Sequence, residues 1–199
     1  MQIKKFTLGP VLTNLYVVSE NGHGFIVDAA DKSDYVTDYI KDNKIEIDFI
    51  LQTHTHFDHV LGLEYYKDLY NVDVYASSES KQIANDSNYN LGFNYTGLFV
   101  PIDKYLEDNE VFSDFNIKAI KTPGHSPDSI SYLIGNNLFS GDTLFNLSIG
   151  RTDLPGGNYA TIMESLDKYR KLNPNTDVYS GHGGNTNLYY ELKNNPFLN

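Results

Sequence analysis

His54-Thr55-His56-Phe57-Asp58-His59 places four metal-capable side chains within six residues. The stretch follows Ile47-Asp48-Phe49-Ile50-Leu51, an apolar run with the length of a buried strand. A strand running into a His/Asp-rich loop is how open α/β sheets hold a site at their carboxyl edge. His54 and His56, two apart, can aim their rings at one ion from a tight loop, leaving Asp58 and His59 to face a neighbouring ion. Zn–N distances of about 2.0–2.1 Å leave little tolerance, so donors on rigid strand ends suit the requirement. A solvated polar loop, or Asp58 as a helix N-cap, would explain a single residue of this kind. It does not explain the whole hexapeptide together with the three similar positions that follow.

Those positions are His125 in Thr122-Pro123-Gly124-His125-Ser126, Asp142 in Ser140-Gly141-Asp142-Thr143, and His182 in Ser180-Gly181-His182-Gly183. With the hexapeptide they supply five imidazoles and two carboxylates, enough for two metal ions with room for water. The chain has no cysteine, which removes disulfides, Cys-ligated zinc, iron–sulfur clusters and thiol nucleophiles together. It also has no Gly-x-Ser-x-Gly elbow for a serine nucleophile.

At 199 residues the chain suits one domain spanning 1–199. The hydrophobic share of 40% is modest, and 14% aromatic content adds burial per side chain. No segment approaches the roughly 18 apolar residues of a membrane span. Met1-Gln2-Ile3-Lys4-Lys5-Phe6 lacks the apolar stretch of a secretory signal, so a cytoplasmic location and no membrane partner are expected. A net charge of −11 argues against nucleic acid as a partner but says little about the substrate, which is expected to be a small molecule. Two divalent ions would make the pocket locally positive within an acidic protein.

Periodicity gives a mixed order of elements. Strands are expected at Val11–Val18 and Gly24–Asp28 around an Asn21-Gly22 turn, then at Ile47–Leu51, Val72–Tyr75, Lys104–Leu106, Ile117–Lys121, Ile130–Ile134, Leu138–Ser140 and Asp177–Ser180. Helices are expected at 31–43, 60–70 and 159–171, and another beginning near Ser78 with Ser77 as its cap. Residues 85–97, rich in Asn, Ser, Tyr and Gly, read as a long loop or lid. The fold class is therefore α/β, with mixed strands and interspersed helices.

The pattern His-x-His-x-Asp-His with the later Gly-His, Gly-Asp and Gly-His resembles the metallo-β-lactamase superfamily over essentially the whole chain. The resemblance implies a four-layer αββα sandwich with the site along one edge, between the sheets. It also implies that His54, His56 and His125 hold one metal, Asp58, His59 and His182 the second, and that Asp142 bridges both. Asp28 matches a superfamily position that braces the His-rich loop. Gly141-Asp142-Thr143-Leu144-Phe145, Ser148-Ile149-Gly150-Arg151-Thr152-Asp153-Leu154-Pro155-Gly156-Gly157 and the ending Asn195-Pro196-Phe197-Leu198 are similar to the short glyoxalase II-like hydrolases. Glyoxalase II of full length carries a helical extension for glutathione; with about 17 residues after His182, no such extension is expected here.

Lactamase groups with a Cys ligand, the flavodiiron branch (Glu in place of His56) and the longer RNA-processing nucleases do not fit these residues. The resemblance then implies hydrolysis of an acyl thioester of the hydroxyacylglutathione type, with two divalent ions, zinc first and iron or manganese as alternatives. Asp58 would orient the attacking hydroxide while serving as a ligand. The alternatives are a persulfide dioxygenase with one iron on His54, His125 and Asp142, and a lactone or phosphoester hydrolase. Among other residues, Arg151 is expected to pair with Asp153 as a buried loop brace, or else to contact an anionic substrate. Ser126 and Thr143 are expected to orient neighbouring ligands, and His23 to be a turn residue. Tyr89, Phe93 and Tyr95 are candidates to line the pocket.

Overall fold

Side-chain alternation decides how the strands lie. In the computed structural model, which describes residues 1–199, six strands form one sheet in sequential order. They are β1 (Gln2–Leu8), β2 (Thr13–Glu20), β3 (His23–Val27), β4 (Glu46–Leu51), β5 (Asp73–Ser77) and β6 (Lys104–Leu106). Strands β1 to β3 are an antiparallel meander, and β3 to β6 are parallel. Parallel neighbours need crossovers, and helices fill them. These are α1 (Asp34–Asp42), then α2 (Phe57–Val60) and α3 (Leu63–Tyr70), then α4 (Ser80–Ile83) and α5 (Ser87–Asn90). The meander turns at Asn21 and Gly22, whose φ values of 55° and 87° have the sense a two-residue hairpin requires.

The second sheet collects β7 (Val111–Phe112), β8 (Ile117–Lys121), β9 (Ile130–Ile134) and β10 (Asn137–Gly141). After a small ribbon of β11 (Leu144–Phe145) and β12 (Ser148–Ile149), helix α6 (Tyr159–Tyr169) crosses to β13 (Asp177–Ser180), which lies parallel to β10. Strand β14 (Thr186–Asn187) and helix α7 (Leu188–Asn194) complete the chain. The order in this sheet is β14-β13-β10-β9-β8-β7.

Because successive strand residues face opposite ways, each inner strand feeds two cores. Tyr16, Val18, Phe25, Val27, Phe49 and Leu51 meet Ile117, Ala119, Ile130, Tyr132 and Phe139 between the sheets. Leu15, Val17, Ile26 and Ile50 point outward to Val36 and Ile40 of α1 and Leu63 and Tyr66 of α3. On the far side Leu138 and Val178 pack on Leu166 and Tyr169 of α6 and Leu188 of α7. Helix, sheet, sheet and helix therefore stack as the expected four-layer αββα sandwich.

Several local expectations change. Residues Gln2–Leu8 form an edge strand, β1, that strand periodicity did not flag; its burial is partial and Lys4-Lys5 sits at its centre, as suits an edge. The expected loop at 85–97 contains α5, capped by Asp86 accepting from the Asn88 amide. Ser77 ends β5 and is no cap: α4 begins at Ser80, and the Ser77 hydroxyl donates to Glu79 instead. Helix α7 was not anticipated; its Leu188, with the terminal Leu198, closes the third core.

Phe25 is fully buried between the sheets, stacked on Phe49 at 5.0 Å with Phe115 edge-on at 5.0 Å. Phe25→Ala is predicted to cost about 3–5 kcal/mol of stability, read as a lower urea midpoint at unchanged slope. A loss below about 1 kcal/mol would contradict this packing.

Candidate metal centre

The site forms where strands of both sheets end. Strand β3 stops at Val27, and Asp28 turns out of it with φ 56°, a left-handed conformation uncommon for a non-glycine. That turn aims its carboxylate under the loop that leaves β4. Oδ1 accepts from the Thr53 amide at 2.8 Å, and Oδ2 accepts from the Thr53 hydroxyl at 2.8 Å and from His59 Nδ1 at 2.9 Å. Gln52 clamps the same loop: its Oε1 accepts from the Ala29 amide at 3.0 Å, and its Nε2 donates to the His59 carbonyl at 2.8 Å. Asp28 therefore braces the hexapeptide as expected, and Gln52 and Thr53 join it.

These bonds fix which ring nitrogens carry protons. His59 donates through Nδ1 to Asp28, His125 through Nδ1 to the Arg151 carbonyl at 2.9 Å, and His54 through Nδ1 to the Thr53 hydroxyl at 3.2 Å. Each of the three then aims its Nε2 inward. Burial disfavours charge on His59, but Asp58, Asp28 and Asp142 outweigh it and hold that imidazole well above the usual range. His59 would therefore give up a proton when an ion binds. His54 Nε2 lies 3.1 Å from His56 Nδ1, which lies 3.0 Å from His125 Nε2. Of these inner nitrogens only His56 Nδ1 can carry a proton, a poor substitute for a cation facing two lone pairs. Burial, reinforced by His125, pushes His56 down to about 3, and burial with His59 holds His54 well below the usual imidazole range. Both rings are neutral, the form that binds a metal.

A second group adjoins the first. His59 Nε2 stands 3.5 Å from Asp58 Oδ2, and His182 Nε2 stands 3.2 Å from the same oxygen. Asp142 lies between the groups: Oδ1 is 3.4 Å from His59 Nε2, while Oδ2 is 3.4 Å from His182 Nε2 and 3.5 Å from His125 Nε2. Burial opposes charge on Asp58, but His59 and hydrogen bonds from His182 and Thr13 outweigh it and hold the carboxyl down at about 2. Burial likewise opposes charge on His182, yet Asp142 and Asp58 raise it to about 10. The two carboxylates thus draw positive charge to this spot.

The residues fit divalent ions. Of the atoms that face the centre, His59 Nε2 and Asp142 Oδ1 are buried with no hydrogen-bond partner, a condition that costs about 1–3 kcal/mol per atom unless something else satisfies it. Donors arranged tetrahedrally about 2.0–2.1 Å from zinc lie roughly 3.3 Å from one another, close to the separations here. The seven sequence-predicted residues, His54, His56, Asp58, His59, His125, Asp142 and His182, all reach this one place, and only His182 is not buried.

Close approach of two of these side chains explains one glycine. A Cβ on Gly181 would collide with Asp142 Oδ1 and lie 2.7 Å from His59 Cε1. The start of β2 pins this loop from the other side: the Asn14 amide donates to the Gly181 carbonyl at 2.7 Å, and Thr13 bridges to His182. The Thr13 hydroxyl also donates to Asp58 Oδ2 at 2.6 Å. Nothing in the local sequence of Thr13 marks it; strand pairing alone brings it here.

Other expectations are corrected. Ser126 and Thr143 contact no ligand side chain: the Ser126 hydroxyl donates to Asp128, and the Thr143 hydroxyl donates to Thr122. Arg151 and Asp153 do pair through two bonds of 2.7 Å, but on the surface, with side chains 64% and 68% exposed. The Arg151 main chain, not its guanidinium, holds His125. His23 begins β3 and pairs with Asp48 in the open, away from the centre. Tyr95 stacks on Phe57 of the hexapeptide at 5.0 Å, whereas Phe93 is exposed and Tyr89 lies toward Gly156.

Gly181→Ala is predicted to leave the far-ultraviolet circular dichroism unchanged and to lower bound metal, measured by elemental analysis, by at least about tenfold in affinity. Full metal content in that variant would contradict the packing of Gly181 on Asp142.

Comparison with known proteins agrees with this geometry. The sequence model of the family described as the metallo-beta-lactamase superfamily matches residues 8–182. The chain is 35% identical to the "Probable metallo-hydrolase YqgX" of Bacillus subtilis over 207 residues, covering 100% of this chain and 98% of that one. It is 30% identical to the "Hydroxyacylglutathione hydrolase GloC" of Haemophilus influenzae over 183 residues, covering 87% and 86%. Among solved structures, the BLEG-1 B3 metallo-beta-lactamase is similar at a TM-score of 0.92 and 34% identity, covering 99% of both chains.

Proposed function

Because the chain belongs to the metallo-β-lactamase superfamily, we propose that it is a metal-dependent hydrolase of acyl thioesters of the hydroxyacylglutathione type. The observation that carries this reading is the convergence of five imidazoles and two carboxylates on one place, with buried atoms facing it that lack partners. His54, His56 and His125 would hold one ion, Asp58, His59 and His182 the other, and Asp142 would serve both. A sulfur-free set of nitrogen and oxygen donors suits zinc, with iron or manganese as alternatives. The similarity to a hydroxyacylglutathione hydrolase supports the thioester.

When bound, such ions lower the pKa of a water to about 7 and stabilise charge developing on a carbonyl oxygen. The protein's own groups supply the rest. Asp58 stays ionised at neutral pH and has one oxygen held by the Thr13 hydroxyl. It is placed to accept a hydrogen bond from the attacking water and fix its direction. Asp28 and the Arg151 carbonyl keep His59 and His125 from rotating out of their metal-facing tautomers. His182, the one ligand that is not buried, marks the side from which substrate enters.

A second reading is hydrolysis of a β-lactam, favoured by the fit of the whole chain to the B3 metallo-beta-lactamase structure. Thiol release from S-lactoylglutathione, set beside ring opening of a chromogenic cephalosporin on protein of measured metal content, separates the two. The expected result is two ions per chain and faster turnover of the thioester. One iron per chain with oxygen consumption on a persulfide would overturn the hydrolase in favour of a dioxygenase. Asp58→Asn and His59→Ala are each predicted to cut thioester turnover by at least about tenfold and to lower metal occupancy; unchanged rates in both would refute the two-ion scheme.

A further inference from the structure

Asp128 is fully buried, makes no salt bridge, and has no part in the scheme above. Its carboxylate is nonetheless held by three hydroxyls from three segments. Oδ2 accepts from Thr55 at 2.6 Å and from Ser80 of α4 at 2.9 Å, and Oδ1 accepts from Ser126. Thr55 lies between His54 and His56, and Ser126 directly follows His125. One planar group therefore ties the loop after β4 in the first sheet to the loop after β8 in the second. Those two loops carry the three nitrogens that stand 3.0–3.1 Å apart.

We infer that Asp128 is a positioning residue that sets the distance between His56 and His125, and with it the affinity of the three-histidine group for a divalent ion. A buried carboxylate is costly unless fully hydrogen-bonded, and apolar packing would suffice if the loops needed only to be covered. Directional bonds to each loop from separate oxygens of one rigid group hold the spacing more tightly than packing does. The second donor group has its own supports: Thr13 on Asp58, Asp28 on His59, and the Asn14 amide on the Gly181 carbonyl beside His182. The effect of Asp128 is therefore confined to one of the two ions.

This inference rests on the metal-centre reading, and a titration of metal-free protein with Zn²⁺ against a chromophoric chelator tests both. The wild type is expected to bind two ions. Asp128→Asn keeps the shape but replaces an acceptor with a donor. It is expected to weaken one ion by at least about tenfold and leave the other within about twofold, with the melting temperature of the metal-free protein nearly unchanged. Thr55→Val cuts a single link and is expected to act in the same direction by less. In a His56→Ala background, Asp128→Asn should add little further loss, because Asp128 acts through the placement of His56. Equal weakening of both ions, or a lower melting temperature without a selective loss, would make Asp128 a simple buttress and overturn the proposal. Wild-type binding of two ions with an unaltered Asp128→Asn isotherm would overturn it alone; a wild type that binds no Zn²⁺ would overturn the metal centre as well.

Discussion

Collecting seven titratable side chains, six of them buried, in one place is the constraint around which this molecule is arranged. The ring nitrogens of His54, His56, His59 and His125 and the carboxylates of Asp58 and Asp142 face one another across gaps of 3.0–3.5 Å. Desolvation opposes such a gathering, and the attraction of the carboxylates for His59 and His182 works against that cost. Four of the donors are also fastened from behind: Thr53 holds His54, Asp28 and Gln52 hold His59, Thr13 holds Asp58 and the Arg151 carbonyl holds His125. The three apolar cores supply the rigidity against which these fastenings work, and the stability lost at the centre is offset there.

The sandwich suits this task because its strands end together. Asp28 follows β3, the hexapeptide follows β4, Asp142 follows β10 and His182 follows β13. Where the chain must turn sharply at that edge, the backbone takes left-handed values at Asp28 and Gly141, with φ of 56° and 51°. For Asp28 this is a strained choice of roughly 1–2 kcal/mol, and its return is a carboxylate that accepts three hydrogen bonds beneath the His-rich loop.

The residues gathered at the centre were legible in the sequence because metal-capable side chains are few, their spacing is short, and three of them follow a glycine at a strand end. Strands β2 and β3 were legible as apolar runs, and in both each face has a separate core; the order of strands in the sheets was not read from the sequence. The supporting residues were hidden for the opposite reason. Thr13, Gln52 and Asp128 look like ordinary polar residues until strands distant in sequence are placed side by side. Ser126 and Thr143 misled because adjacency along the chain is not contact. The Arg151–Asp153 pair was read correctly as a pair, but its exposure depends on how the loop lies. Strand β1 escaped notice because an edge strand need bury only part of one face.

The donors are drawn from residues 54 to 182 and from loops of both sheets. No hairpin or single helix crossover contains a complete set. The centre can close only after non-local strand pairing in each half is finished, and contacts of that kind are the slow ones in folding. Closure of this centre in a refolding chain is therefore a late event, a timer that strikes once the two halves have docked.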